Sequence, residues 1–210
     1  MSFTQFKNLG SVLQEYNLTA QRQNFVVYDK EGIHAPDRLI EDITFALQYI
    51  DYDSSEAAIC ESLIYPILVQ VWKNFLDTLF LYSHRSWQAD STLTGIPDYL
   101  ITAISKYGSP VIGTPVLITI EAKKDNFEEG WGQCAAAMVA AQQSNQNKQL
   151  VIYGIVSNGE QWEFGKLEQA SFIKNIESIT ITDTHKLYAV LYGLLSICKQ
   201  QLRKDSINSK

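Results

Sequence analysis

The stretch Val116-Leu-Ile-Thr-Ile-Glu-Ala-Lys123 predicts the centre of the fold. Its first five residues are apolar or β-branched, as is typical of a central strand, and charges follow at the end. Because side chains alternate along a strand, Glu121 and Lys123 share one face, while Ala122 points into packing on the other. A charged end on such a strand is a candidate functional site.

A second acidic residue is predicted to meet this strand end. Pro97-Asp98 opens a strand predicted over 98–105, and Pro97 is tolerated because it precedes the ladder. The turn-rich link 106–115 favours antiparallel pairing, which brings Asp98 beside Glu121. Two converging carboxylates repel unless a cation lies between them. Oxygen ligands alone favour Mg²⁺ or Mn²⁺ over zinc.

The motifs are short, so an alternative stays open. A Pro-Asp pair and a Glu-x-Lys triplet each occur roughly once by chance in a chain of this length, and Pro36-Asp37 is a second copy of the first. In the alternative, Asp98 ends a turn, and Glu121 and Lys123 form a solvated pair. In the functional interpretation, Lys123 orients a water or stabilises negative charge on a phosphate.

The remaining pattern predicts a mixed α/β fold in a single domain, residues 1–210. Residues 1–55 are an N-terminal elaboration, 56–167 the core, and 168–210 an edge strand with a C-terminal helix. A long helix with a kink or break near Pro66 opens the core, and Asn158-Gly159 predicts a hairpin. The predicted helices are 3–16, 36–49, 56–76, 130–144 and 184–203, and the predicted strands are 25–28, 79–87, 98–105, 116–123, 149–156, 161–167 and 172–181.

Composition restricts the function and the compartment. The 210 residues include 17 Lys and Arg against 23 Asp and Glu, a net charge of −6. This balance argues against a non-specific nucleic-acid coat or a membrane-surface protein, but not against a nuclease, since a metal site needs carboxylates. The cysteines, too few for a disulfide framework or a zinc site, predict buried thiols in a reducing cytoplasm. We expect a cytoplasmic protein without a secretory signal or a membrane-spanning helix.

The order of motifs and elements over residues 56–167 resembles the PD-(D/E)xK nuclease superfamily. It is similar to the N-terminal nuclease domain of type I restriction-enzyme R subunits and to small stand-alone bacterial proteins with the same core. This resemblance implies a restriction-endonuclease-like mixed β-sheet flanked by helices. The stretches that carry it are Gly95-Ile-Pro-Asp-Tyr-Leu-Ile101, Ile120-Glu-Ala-Lys123, Gly130-Trp-Gly-Gln133 and Ile155-Val-Ser-Asn-Gly-Glu-Gln-Trp-Glu-Phe164.

The resemblance also implies roles. Asp98 and Glu121 match the metal ligands, and the main-chain carbonyl of Ala122 often completes the metal shell in that family. Lys123 matches the catalytic lysine. The implied activity is Mg²⁺- or Mn²⁺-dependent hydrolysis of phosphodiester bonds in DNA. The alternative is a catalytically inactive nuclease-fold protein that serves as a nucleic-acid- or protein-binding module.

Two further site positions stay open between alternatives. Gln133 matches the glutamine of the family's Gln-xxx-Tyr helix motif, but Ala137 stands at the tyrosine position, and a solvent-facing helix residue is the other interpretation. The first core helix should supply one more carboxylate, from either Glu56 or Glu61. Glu56 lies nearer the centre of the apolar stripe, but it also suits a helix N-terminus by charge alone.

Two weaker features complete the set. His84, near the end of a predicted strand, is a candidate for substrate contact, although a lone histidine is more often structural. The apolar residues over 187–198 have an a/d-like spacing that suits a homodimer, and packing on the sheet is the alternative.

Overall fold

A mixed β-sheet lies between two layers of helices in the computed structural model, which describes residues 1–29, 32–88, 93–145 and 147–208. The mixed α/β class is therefore as expected. The strands are β1 Thr19–Arg22, β2 Leu79–Ser83, β3 Trp87–Gln88, β4 Thr94–Gly95, β5 Tyr99–Ala103, β6 Val116–Ala122, β7 Ile152–Ser157, β8 Gln161–Glu168, β9 Ser171–Lys174 and β10 Ile179–Thr180. The helices are α1 Leu9–Glu15, α2 Asp37–Tyr49, α3 Glu56–Ile59, α4 Tyr65–Trp72, α5 Phe127–Ser144 and α6 Thr184–Asn208, with a π-helical segment at Cys60–Ile64 and short 3₁₀ turns at Phe3–Gln5, Tyr52–Ser54 and Lys73–Phe75.

The strand order places β6 in the interior of the sheet. The order is β1-β9-β8-β7-β6-β5-β2, with β10 paired to β8 and with β3 and β4 forming a separate small sheet. Strands β5 and β6 are antiparallel, as predicted, whereas β6 and β7 are parallel. Parallel neighbours need a crossover connection, and α5 supplies it between β6 and β7. Every residue of β6 is buried.

The two faces of β6 meet different helices. Ile118, Ile120 and Ala122 join the core formed by α2, the α3–α4 region and α6. On the other face the Thr119 hydroxyl contacts Cys134 of α5, which packs there with α1. The alanine-rich middle of α5 allows close approach to the sheet. The predicted alternation therefore holds, with Ala122 packed against the α3–α4 side.

Most predicted elements lie where expected, with two corrections in the sheet. The strand predicted over 25–28 is wrong, because the strand is β1, whose four side chains are all exposed and carry no apolar signal. The amides of Phe25 and Val26 donate to the Asn175 side chain instead. The single edge strand predicted over 172–181 is instead two short strands: β9 lies between β8 and β1 and is not at an edge, and β10 pairs with β8.

Three expectations about helices and thiols have clear outcomes. Near Pro66, where a kink or break is predicted, the helix changes to a π-helical segment immediately before α4, while the backbone at its boundaries stays helical. Cys60, Cys134 and Cys198 are buried free thiols, as expected. The apolar stripe of α6 packs inside the core with the sheet, so it is not available to a second copy. In the described part of the chain, no helix has the length and apolarity to cross a membrane.

One buried amide ties β6 to the end of α5. Asn145 accepts from the Val116 amide at 2.8 Å and donates to the Val116 carbonyl at 2.7 Å. Replacement by alanine leaves both backbone groups without this partner in a buried site. Asn145→Ala should therefore lower the free energy of unfolding by about 2 kcal/mol or more in urea titrations. The exposed Gln143→Ala on the same helix should change it by less than about 0.5 kcal/mol. Equal effects would contradict this role of Asn145.

Candidate active site

Asp98 meets the end of β6, although it lies before β5 in the chain. The antiparallel register pairs Tyr99 with Ile120 and brings Asp98 to the end of β6. There Asp98 Oδ2 accepts a hydrogen bond from the Ala122 amide at 2.7 Å. Asp98 is thus fixed beside Glu121, as the strand phase predicted.

Glu121 is a buried carboxylate at this strand end. Only 8% of the residue is exposed. Burial, with the nearby charge of Asp98, raises the pKa of Glu121 to about 8. Burial also raises the pKa of Asp98, against the lowering effects of the Ala122 amide and the Lys123 charge. The protein alone therefore does not fully offset the negative charge of either carboxylate.

Lys123 brings an ammonium group to these carboxylates. Its Nζ lies 3.5 Å from Glu121 Oε1 and 3.3 Å from Glu56 Oε2, and its side chain is 10% exposed. Although burial disfavours its charge, the surrounding carboxylates raise the pKa of Lys123. The lysine is therefore held protonated. Its stem passes Gly130 of α5, where a Cβ would come within 2.9 Å of Lys123 Cγ, so glycine leaves room for the side chain.

The first core helix places Glu56, and not Glu61, at the site. Ser55 caps α3 by accepting from the Ala58 amide, and Glu56 follows in the first turn. Glu56 contacts Lys123 while its side chain stays 49% exposed. Glu61 lies exposed on the π-helical segment, and its side chain makes no hydrogen bond or ion pair to any described residue. Of the two alternatives, the structure brings only Glu56 to the cluster.

Gln133 lies near this site without joining it. It is buried, so its interpretation as a solvent-facing residue is wrong. Its amide donates to Glu129 Oε1 at 3.2 Å, and the same oxygen accepts from Lys7 at 2.7 Å. No hydrogen bond joins Gln133 to Asp98 or Glu121 in the described ranges. Its catalytic role stays a prediction, as does that of the Ala122 carbonyl.

His84 takes a larger part than the sequence indicated. Its Nε2 lies 3.3 Å from Asp98 Oδ1, and its amide donates to the Asp98 carbonyl at 2.7 Å. The backbone of His84 is left-handed, with φ 47°. Nearby, the Tyr99 hydroxyl donates to the Cys60 carbonyl at 3.2 Å. Strained or irregular backbone of this kind is a hint of function that composition does not carry.

The donor set fits a hard divalent cation. The buried Glu121 carboxylate and the half-buried Asp98 carboxylate, both with raised pKa values, lie together, and a third carboxylate, Glu56, contacts Lys123. A cation between Asp98 and Glu121 would offset their repulsion, and carboxylate oxygen is the ligand that Mg²⁺ prefers. A separate cavity of about 620 Å³, beside Leu9 and Trp131, contains none of these residues. The candidate cation ligands therefore lie at the start of β5 and the end of β6, and not in this cavity.

The raised pKa of Glu121 predicts how stability changes with pH in the absence of metal. Between its ordinary value of 4.5 and about 8, the folded chain holds a proton that the unfolded chain releases. The free energy of unfolding should therefore fall as pH rises through this window. Glu121→Gln keeps the shape and removes the titration, so the decline should flatten and stability near pH 8 should increase.

Urea unfolding in the presence of a chelator, repeated across this pH window, measures the effect. Glu61→Gln is the matched control, because Glu61 is exposed and outside the cluster; it should keep the decline of the wild type. A Glu121→Gln protein with the same pH dependence as the wild type would refute the argument.

Comparison with known proteins assigns no family to this arrangement: no family model matches the chain, and no curated protein matches it significantly.

Proposed function

We propose that this protein has a restriction-endonuclease-like fold of the PD-(D/E)xK superfamily and hydrolyses phosphodiester bonds in DNA with Mg²⁺ or Mn²⁺. The observation that carries the proposal is the meeting of Asp98, Glu121, Lys123 and Glu56 at the adjacent ends of β5 and β6. Motif order and resemblance support the same superfamily. The mixed sheet flanked by helices is compatible with it.

The metal would be held by the Asp98 and Glu121 carboxylates, with the Ala122 carbonyl as a further candidate. A metal held there would supply Lewis-acid chemistry, lowering the pKa of a bound water and polarising a phosphoryl oxygen. The protein fixes the Asp98 carboxylate through the Ala122 amide, so one ligand is oriented in advance. Because the pKa of Glu121 is raised, its ionised carboxylate is unfavourable without a nearby positive charge, and a bound cation would stabilise it.

Lys123 would act on the phosphate and the water and not on the metal. Three carboxylates raise its pKa, so it carries its proton at neutral pH. A fixed ammonium group in a largely buried site stabilises negative charge that develops on a phosphoryl oxygen. Glu56 holds the ammonium group from the exposed side, where substrate can enter. Glu56 is thus proposed as a positioning residue for Lys123.

A second candidate, the inactive binding module, has its own support. Position 137 is a buried alanine, so the tyrosine hydroxyl of the family motif is missing there. Gln133 is engaged by Glu129. The net charge of −6 also opposes strong binding of DNA through phosphates alone. The two candidates differ in turnover and share the fold.

Metal binding should stabilise the wild type. At a hundredfold excess over the dissociation constant, Mn²⁺ should raise the free energy of unfolding by about 2.7 kcal/mol. Asp98→Asn should lose most of this gain, because it removes a ligand charge. Asp125→Asn, an exposed acidic control, should keep it. Melting curves with and without Mn²⁺ measure the difference, and an unshifted wild type would contradict the metal site.

Cleavage separates the enzyme from the binding module. The wild type should nick plasmid DNA with Mg²⁺, and Lys123→Ala should abolish nicking while keeping the Mn²⁺-dependent stabilisation, since the lysine does not hold the ion. The neighbouring exposed Lys124→Ala is the matched control and should nick at the wild-type rate. Nicking and single-strand cleavage assays on purified variants give the readout.

Each contrary outcome of the cleavage assay has a definite meaning. A wild type that shifts with Mn²⁺ and cleaves no DNA would favour the inactive module. A Lys123→Ala protein that nicks as fast as the wild type would overturn the proposed role of the lysine. Glu56→Gln should slow nicking, whereas Glu61→Gln should not, because only Glu56 contacts Lys123.

A further inference from the structure

A thiol and an imidazole lie close to the carboxylate of Asp98. The Sγ of Cys60, a ring nitrogen of His84 and an Asp98 oxygen all lie within 4.8 Å of one another. The three residues come from the π-helical segment, the turn after β2 and the start of β5. Such a set differs in kind from the carboxylates around Lys123, because sulfur and nitrogen are softer donors than oxygen.

The spacing is close to that of a metal centre. Zinc bonds of roughly 2.0 to 2.3 Å in a tetrahedron place ligand atoms about 3.6 Å apart. His84 Nε2 and Asp98 Oδ1 already lie 3.3 Å apart. The remaining gap closes by a movement of about 1 Å, and the His84 side chain, 49% exposed, is free of tight packing on one side.

Neighbouring groups orient the Asp98 and His84 side chains toward each other. The Ala122 amide occupies Asp98 Oδ2 and leaves Oδ1 toward His84. The Ser83 hydroxyl lies 2.9 Å from His84 Nδ1, so it can accept from Nδ1–H when Nε2 offers its lone pair. An outer partner of this type is the usual companion of a histidine that binds a metal.

The backbone around the donors is unusual at two points. His84 adopts a left-handed conformation and is held there by the hydrogen bond from its amide to the Asp98 carbonyl. Cys60 begins the π-helical segment, whose first carbonyl accepts from the Tyr99 hydroxyl. Local π-helix and non-glycine left-handed backbone both cluster at functional sites. Here both irregularities bring a metal-binding side chain toward Asp98.

We propose that Cys60, His84 and Asp98 form a binding site for a thiophilic divalent cation such as Zn²⁺. The cation takes the Sγ, Nε2 and Oδ1 atoms as ligands, and the exposed side of His84 leaves a fourth position for water. Binding releases the thiol proton to solvent and forms the metal–sulfur bond, without any change of oxidation state.

The thiol of Cys60 is neutral before the metal arrives. Burial and the nearby carboxylates raise its pKa to about 12. A coordinating cation removes this proton, because it stabilises the thiolate directly. The site therefore distinguishes cations by their affinity for sulfur, since a hard cation gains little from the thiol.

Asp98 belongs to both ligand sets. A thiophilic cation at Cys60 and His84 takes one ligand from the Mg²⁺ site, so it inhibits cleavage; this consequence rests on the proposed function. The binding test does not, because it reads a spectrum and needs no activity. Failure of the nuclease proposal would leave the spectrum unchanged.

Cobalt titration of the tag-free full chain tests the site, because Co²⁺ reports its ligands by absorption. The wild type should develop a near-ultraviolet thiolate-to-cobalt band that saturates at one equivalent. Cys60→Ser should lose the band. His84→Asn should weaken Co²⁺ binding at least about tenfold, in line with the effect of even outer-shell changes. Asparagine tolerates left-handed backbone, and His84 is exposed, so this variant keeps the fold.

The matched control is Cys134→Ser, a second buried thiol whose neighbours include the Thr119 hydroxyl, so a serine there keeps a polar partner. It should retain both the band and the affinity. Three results would each overturn the proposal. These are a wild type without the thiolate band, a band that persists in Cys60→Ser, and unchanged affinity in His84→Asn.

Discussion

The site depends on one hydrogen bond at the end of a buried strand, in which the Ala122 amide donates to the Asp98 carboxylate at 2.7 Å. Strand β6 lies between β5 and β7 and beneath helices on either side, so its backbone has little freedom. Glu121 and Lys123 lie at the end of this strand, so their backbone positions are fixed by the sheet. The Ala122 amide lies between them, and its hydrogen bond to Asp98 transfers the same rigidity to the start of β5. The geometry of the site is thus a property of the sheet and not of a loop.

The residues of the site are coupled through their charges. Asp98, Glu121 and Glu56 surround one lysine and raise its pKa against the opposing effect of burial. Desolvation makes this arrangement unfavourable for Glu121 above all, as its raised pKa indicates. A structural ion pair would instead lower the pKa of its carboxylate. The excess of negative charge therefore favours a site that a cation completes, whichever phosphodiester chemistry follows.

Sequence patterns found the elements that bury apolar side chains and missed those that do not. Strand β6 and the hairpin of β7 and β8 follow from apolar runs and turn residues, whereas β1 pairs through its backbone with every side chain exposed. For the site, strand phase brought Asp98 to Glu121. A regular helical wheel left Glu56 and Glu61 open, because the π-helical segment and the cap at Ser55 are decided by local packing and hydrogen bonding. The position of His84 near a strand end made it a candidate, but its contact with Asp98 could not be predicted, since its left-handed backbone is a tertiary effect.

The metal site proposed at Cys60, His84 and Asp98 is of a kind that a count of cysteines does not detect, and the reason lies in the topology. Cysteine spacing detects metal sites whose ligands are close in the chain, whereas Cys60, His84 and Asp98 come from three elements that only the sheet brings together. The turn after β2 lies against the start of β5 because those strands pair, and the π-helical segment lies against Tyr99. Asp98 then presents one oxygen to the strand end and the other to softer donors. In the two proposals, a single carboxylate at the junction of three elements would therefore serve two metal chemistries, and the hardness of the cation would decide between them.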